Sequence, residues 1–167
     1  MAGVFAGTMF FSVPAFAQAS ASATANGSTT IIRPVTITNT SGLSFGRIVK
    51  PSTGTGTVTI ANSADTVSAG AGAVALAGIT TSRAKFTIDG EGGQALTVTV
   101  PGTFALGNGT DTITVTLNPN AAGTQTLSNA LGAAGTLALN VGGSFNVPNA
   151  VSTGAYTGSF DVTVQYN

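Results

Sequence analysis

Short segments in which apolar and polar residues alternate, separated by turn residues, constrain the fold of this chain most strongly. The clearest covers residues 158–166, where alternate side chains would line one face of a strand. These residues are Phe160, Val162, Val164 and Tyr166. Turn signals such as Asn108-Gly109 recur about every 10 residues, which is typical of an antiparallel β-sandwich. Strands are predicted near 31–38, 43–49, 55–60, 84–88, 95–100, 112–117, 135–141, 144–147 and 158–166.

The composition favours the same fold class. The 167 residues include 23 glycines, which suit tight turns, and only 6% are charged. Threonine and valine are abundant, and their β-branched side chains fit a pleated sheet better than a helix. We therefore expect one all-β domain with almost no helix.

Several function classes are disfavoured by the residues that are missing. Five basic and five acidic residues cancel, so no charge pattern favours nucleic acid or an anionic membrane. Without His or Cys, the commonest general base, metal ligand and thiol nucleophile are absent. Asp89 and Glu91 are the one close carboxylate pair, and their spacing around Gly90 predicts a turn. Arg83 and Lys85 are expected on a solvated strand face, where charges at a sheet edge discourage unwanted pairing. We expect no catalytic residues, metal or cofactor.

The N-terminal region resembles an export signal. Residues 4–16 are apolar and uncharged, and Ala15-Phe16-Ala17 matches a small-residue cleavage pattern. The prediction is a signal peptide at 1–17, an extension at 18–32 and a β-sandwich at 33–167. No positive charge precedes the apolar run, which leaves the true start of the leader open. The mature protein is expected to pass through the periplasm to the cell surface or medium, without membrane insertion.

Several short motifs, in order along the chain, carry a family resemblance. They are Pro34-Val35-Thr36-Ile37-Thr38, Leu43-Ser44-Phe45-Gly46, Ala84-Lys85-Phe86-Thr87-Ile88, Val141-Gly142-Gly143 and the segment 154–166. The chain resembles the pilin-like domains of chaperone–usher systems, most closely the family called domain of unknown function 4402. That family is similar in turn to Mat-type fimbrillins and spore coat protein U. Pilins end in an alternating strand with a tyrosine next to last and a glycine upstream, and Tyr166 and Gly154 occupy those places.

The resemblance implies an immunoglobulin-like sandwich that lacks its last strand and is completed by a donor strand. A periplasmic chaperone would lend that strand, contacting the apolar face of the C-terminal strand, and an outer-membrane usher would export the subunit. In the filament, a homopolymer, the N-terminal extension of the next copy would replace the chaperone. The residues on one face of that extension are Ala21, Ala23, Ala25, Gly27, Thr29 and Ile31.

Two other interpretations remain. The extension could be an unstructured terminus or a first strand of its own domain, in which case the protein is a self-contained adhesive or coat sandwich that does not polymerise. A carbohydrate-binding module is the more distant alternative, because such modules usually present exposed Trp or Tyr. This chain has no Trp, and its two tyrosines, Tyr156 and Tyr166, fit strands better.

Overall fold

The computed structural model of the protein describes residues 20–167, so the predicted signal peptide lies outside the described residues. The chain divides into two units, Met1–Thr30 and Ile31–Asn167. Residues 20–30 are exposed and have no regular secondary structure. No helix between residues 20 and 167 is long and apolar enough to cross a membrane.

The second unit contains twelve strands and no helix over the described residues. The strands are β1 (Thr36–Ser41), β2 (Ile48–Val49), β3 (Thr55–Ile60), β4 (Val67–Gly70), β5 (Val74–Ala75), β6 (Ala84–Glu91), β7 (Ala95–Thr99), β8 (Thr103–Gly107), β9 (Thr112–Pro119), β10 (Gly123–Thr126), β11 (Ala134–Pro148) and β12 (Thr163–Tyr166). All pairs of these strands are antiparallel. The curled sheets confirm the predicted all-β antiparallel sandwich.

The 15-residue strand β11 connects most of the sheet. Val141 pairs with both Ala84 of β6 and Pro119 of β9, so β6 and β9 lie on opposite edges of β11. Gly143 pairs with Ile60 of β3 and again with β9. Between Val141 and Gly143, therefore, the neighbour along one edge changes from β6 to β3. Strand β11 thus joins β1 and β6 at one end to β3 and β4 at the other.

The core follows from alternation within the strands. The fully buried large side chains come from five strands and one loop, and they are Ile60, Ile88, Leu96, Leu127, Leu139, Val58, Val98, Val115 and Val141. Leu96 and Val98 of β7 belong to the same buried cluster as Ile88 of β6 and Leu139 of β11. The sheet β10-β7-β12 is therefore packed onto the sheet that contains β6 and β11.

Several local predictions were wrong. The strands predicted at 31–38, 43–49 and 158–166 begin later, at Thr36, Ile48 and Thr163. Residues 135–141 and 144–147 form one strand, because inward-facing odd-numbered positions continue through Gly142-Gly143 without a turn. Asp89 and Gly90 lie inside β6, not in a turn, and strand β8 was not predicted at all. By contrast, the Asn108-Gly109 turn does connect β8 to β9, and the Asn108 side chain accepts hydrogen bonds from the N–H groups of Thr110 and Asp111.

The predicted edge position of Arg83 and Lys85 is also corrected. Strand β6, which contains Lys85, lies between β1 and β11, and the charges are compensated by Asp65. Lys85 Nζ lies 2.7 Å from Asp65 Oδ2, and Arg83 Nε lies 3.8 Å from Asp65 Oδ1. The hydrogen bond from Lys85, followed by that from the Arg83 N–H, holds the pKa of the Asp65 carboxyl below its usual value.

The change of neighbours along β11 requires a glycine at 142, because a Cβ there would overlap the backbone of Ile60 and Asn62. We expect Gly142→Ala to destabilise the fold by about 1–3 kcal/mol, since neither backbone can move without breaking the sheet. Gly102→Ala is the matched control, because a Cβ at that position meets open space. Urea unfolding midpoints of the two variants test this, and equal midpoints would contradict the packing described for β11.

Candidate functional site: an apolar groove beside the C-terminal strand

The carboxylates do not assemble into a metal centre in residues 20–167, where no group of three or more Asp or Glu side chains comes together. Asp89 is exposed, whereas Glu91 is the one buried charged side chain among the described residues, at 3% exposure. The two share one face of β6, since they are two residues apart. Of the two, only Glu91 is therefore placed to take part in buried hydrogen bonds.

The C-terminal strand has one face packed on the core. Strand β12 pairs with β7, with Val164 opposite Val98 and Tyr166 opposite Leu96. The alternate residues Phe160, Val162, Val164 and Tyr166 are half-buried and pack against the core cluster, whereas the residues between them are exposed. Gly154 is exposed in the loop that precedes this segment, close to the Asn108 side chain.

A groove of about 450 Å³ opens between β1 and the segment that leads into β12. Its apolar lining comes from β1 and the loop after it, β6, β8 and the C-terminal segment, and consists of Ile37, Leu43, Ala84, Phe86, Phe104, Leu106, Phe160 and Val162. The ring of Phe160 lies 5.0 Å from that of Phe104 and 6.3 Å from that of Phe86, measured between centroids. The three phenylalanine rings therefore form part of the surface of the groove.

Backbone groups beside the groove lack strand partners. The ladder between β12 and β7 begins at Thr163, so residues 158–162 lie outside it although they line the groove. Strand β1 pairs only with β6, and β12 only with β7, within the described part of the chain. The groove is thus lined by two strands that each have one strand partner, β1 and β8, and by a segment with no strand partner, and unpaired edges of this kind can accept an added strand.

The two ends of the domain are held together by a hydrogen-bonded cluster, the terminal clamp, formed by Arg33, Glu91, Gly132 and Tyr166. The Tyr166 hydroxyl accepts a hydrogen bond from Glu91 N–H at 2.7 Å and donates one to the Arg33 carbonyl at 3.1 Å. The Glu91 carboxylate accepts from the N–H groups of Arg33 and Gly132, and lies 3.7 Å from the Arg33 guanidinium. The clamp joins the segment that precedes β1 to the C-terminus.

The electrostatics of the clamp favour a charged Glu91. The hydrogen bond from Gly132 N–H lowers the pKa of the carboxyl most, and the Arg33 N–H and guanidinium lower it further, against the opposing effect of burial. Gly90 has no Cβ at the place where the Tyr166 ring and hydroxyl pack. Sequence reasoning missed this role of Glu91, because all the partners except Gly132 are more than 50 residues away along the chain.

The extension residues named from the sequence do not form part of any strand. Ala21, Ala23, Ala25, Gly27 and Thr29 are exposed and irregular. Ile31 is 90% exposed and belongs to the second unit, two residues before the clamp. Strand β8 was the main omission at the groove, and the alternation of Phe104 and Leu106 between small or polar residues was the signal that could have identified it.

Glu91→Gln tests the charge in the clamp. The folded pKa is lowered, so the stabilisation is fully present above the unfolded value of 4.5 and is lost as the pH falls through the folded pKa. We expect the variant to be less stable than the wild type at pH 7, with the difference shrinking toward pH 3. Asp89→Asn, at an exposed position on the same face, is the control and should change little. A difference for Glu91→Gln that does not depend on pH would contradict the charged clamp.

Comparison with known proteins identifies the family of this chain. The model for the domain of unknown function DUF4402 matches residues 35–166, which include every strand and both sides of the groove. Curated proteins and solved structures yield no match. Since the family model covers well over half of the sequence, the chain belongs to the DUF4402 family.

Proposed function

We propose that this protein is a structural subunit of a bacterial surface filament, in which a strand from another chain fills the groove. The observation that carries the proposal is the apolar groove flanked by β1 and the unpaired segment 158–162. During export a periplasmic chaperone supplies the strand and an outer-membrane usher receives the subunit. In the filament, the N-terminal extension of a neighbouring copy takes the place of the chaperone.

The dimensions of the groove suit a short strand. Five consecutive residues of the C-terminal segment, 158–162, line it. At about 3.3 Å per residue this corresponds to roughly 16 Å, enough for a strand that directs about three side chains inward. Such a strand would gain backbone hydrogen bonds from the exposed edges and would cover Phe86, Phe104 and Phe160.

The extension has the properties of such a donor. Its alternate residues Ala21, Ala23, Ala25 and Gly27 are small enough for a narrow groove, and Thr29 and Ile31 continue the same face. Alanine contributes little apolar burial, so backbone pairing would supply most of the affinity. Tyr166 and Gly154 occupy the places expected of pilins, which supports a role for the whole chain as a filament subunit.

The self-contained sandwich remains the second candidate, and the terminal clamp is the observation that favours it. Tyr166 already ties the C-terminus to Arg33, and core residues such as Ile88 and Leu139 are fully buried without a donor. In that case the protein would be a monomeric surface or coat protein. The two candidates differ in whether residues 20–30 act on another copy.

Removing the extension distinguishes them. We expect the mature chain, residues 18–167, to polymerise without a chaperone, because a single copy exposes its groove. Deletion of 20–30 should abolish the ordered polymer, as seen by negative-stain electron microscopy. A copy of 20–31 attached behind Asn167 by a flexible linker should yield a monomer with a higher melting temperature, since the donor is then intramolecular.

A transplanted copy carrying Gly27→Arg is the control, because the long charged side chain should not enter the groove and the gain in melting temperature should disappear. If the unmodified chain is instead a stable monomer whose melting temperature does not respond to the transplanted segment, the filament function is wrong and the self-contained sandwich is correct.

A matched pair of substitutions tests the face of the C-terminal segment. Val162 is half-buried and lines the groove, whereas the adjacent Thr163 is exposed. Val162→Asp should destabilise the subunit by about 1–3 kcal/mol and prevent strand capture, because it places a charge on an apolar surface. Thr163→Asp should be tolerated. Circular dichroism melting and recovery of protein from the periplasm measure both effects, and equal losses would show that the wrong face was assigned.

A further inference from the structure

The exposed large apolar side chains of the second unit fall into two groups. Over the described residues there are six of them, namely Ile31, Ile32, Val49, Val74, Leu76 and Leu131. One group, the terminal patch, consists of Ile31, Ile32 and Leu131. Glu91 accepts hydrogen bonds from the N–H groups of Arg33 and Gly132, the residues that follow Ile32 and Leu131 directly. The clamp therefore brings these side chains to one place.

The second group, the ribbon patch, consists of Val49, Val74 and Leu76. Strands β2 and β5 form a two-stranded ribbon in which Val49 pairs with Val74. Leu76 is two residues after Val74, and its N–H donates to the carbonyl of Arg47, which extends the pairing. All three side chains are 46–54% exposed, whereas the adjacent Ile48 and Ala75 are half-buried.

The two patches lie toward opposite ends of β11. Strand β11 begins at Ala134, which pairs with Glu91 of the clamp, and ends at Pro148, which pairs with Thr55. The ribbon is attached at that second end. Ala73 packs against Gly56, and Lys50 Nζ donates to the carbonyl of Val151 at 2.7 Å. Fifteen residues at about 3.3 Å each span at most roughly 50 Å.

We propose that the terminal patch of one copy packs against the ribbon patch of the next. Two unlike patches at opposite ends of a subunit form a heterologous contact, which repeats along an open filament instead of closing into a dimer. Both patches are aliphatic and of similar size. Arg33, next to the terminal patch, is paired with Glu91 of its own copy, so it needs no ionic partner on the ribbon.

The occupant is a second copy and not an unrelated partner because the terminal patch continues directly into the donor extension. Ile31 and Ile32 precede the clamp, so a neighbour that binds the extension comes close to this patch. Gly42 and Leu43 line the groove, and the next residue, Ser44, forms an isolated bridge with Ser82 and begins the segment that leads to β2 of the ribbon. This inference rests on the proposed strand exchange and adds a second contact to it.

The contact is too small to hold copies together alone. Complete burial of a Val, Leu or Ile side chain removes roughly 60–120 Å² from water, and these six side chains are already partly covered. Their sum stays below the about 1,000 Å² typical of a stable interface. Strand exchange therefore provides the affinity, and the patches set the angle between successive subunits and limit its variation.

Cysteine cross-linking tests the proposal, because the chain has no cysteine of its own. A Leu131→Cys, Val74→Cys double variant of the mature chain is polymerised and oxidised. We expect a ladder of covalent multimers in non-reducing gels, and at most a small dimer fraction from either single variant. The control is Leu131→Cys with Thr114→Cys, since Thr114 is exposed on β9, outside both patches, and should not produce a ladder.

The outcomes separate the two proposals. Filaments that are visible by electron microscopy but do not cross-link in the double variant overturn the patch contact and leave strand exchange intact. A ladder that persists after deletion of 20–30 overturns strand exchange as the source of affinity and supports the patch contact. Monomers that neither polymerise nor cross-link overturn both.

Discussion

The pairing of β11 with different strands along its length is the constraint on which the remaining structure depends. Because Val141 pairs with β6 and Gly143 with β3, one strand holds both parts of the sheet in a common register. Its inward positions, Leu139 and Val141 among them, occupy the centre of the core. The backbones of β11 and β3 approach so closely at Gly142 that a side chain cannot be accommodated. The terminal clamp lies where β11 begins, and the ribbon of β2 and β5 is attached where β11 ends.

At the end where β11 begins, burial of a single carboxylate organises the termini. Glu91 is tolerated in a nearly dry position because two backbone N–H groups and a guanidinium satisfy it. The same residue uses its own N–H to orient the Tyr166 hydroxyl, which in turn reaches the chain at Arg33. The start and the end of the sandwich are therefore coupled.

The fold class was predictable from the sequence, and the alternation in β3, β7 and β9 correctly predicted strands. Prediction failed at residues whose type is explained by contacts with distant parts of the chain and not by their neighbours in the sequence. Gly142-Gly143 looks like a turn but marks a close approach of two backbones, and Gly90 makes room for Tyr166 instead of adopting a turn conformation. Glu91 carried no local sign of burial, since its partners come from the N-terminus, the C-terminus and the loop before β11. Residues 158–162 alternate like a strand, yet they have no strand partner.

The sequence by itself determined that the protein is an antiparallel β-sandwich, that its C-terminal segment has one apolar face, and that no His or Cys is available for chemistry. These properties follow from residue type and from a period of two, which are local. Only the tertiary structure decided which strand edges stay unpaired, where the groove opens, and how Glu91, Arg33 and Tyr166 meet. These depend on contacts between residues far apart in the chain, and a single sequence contains no direct record of such pairings.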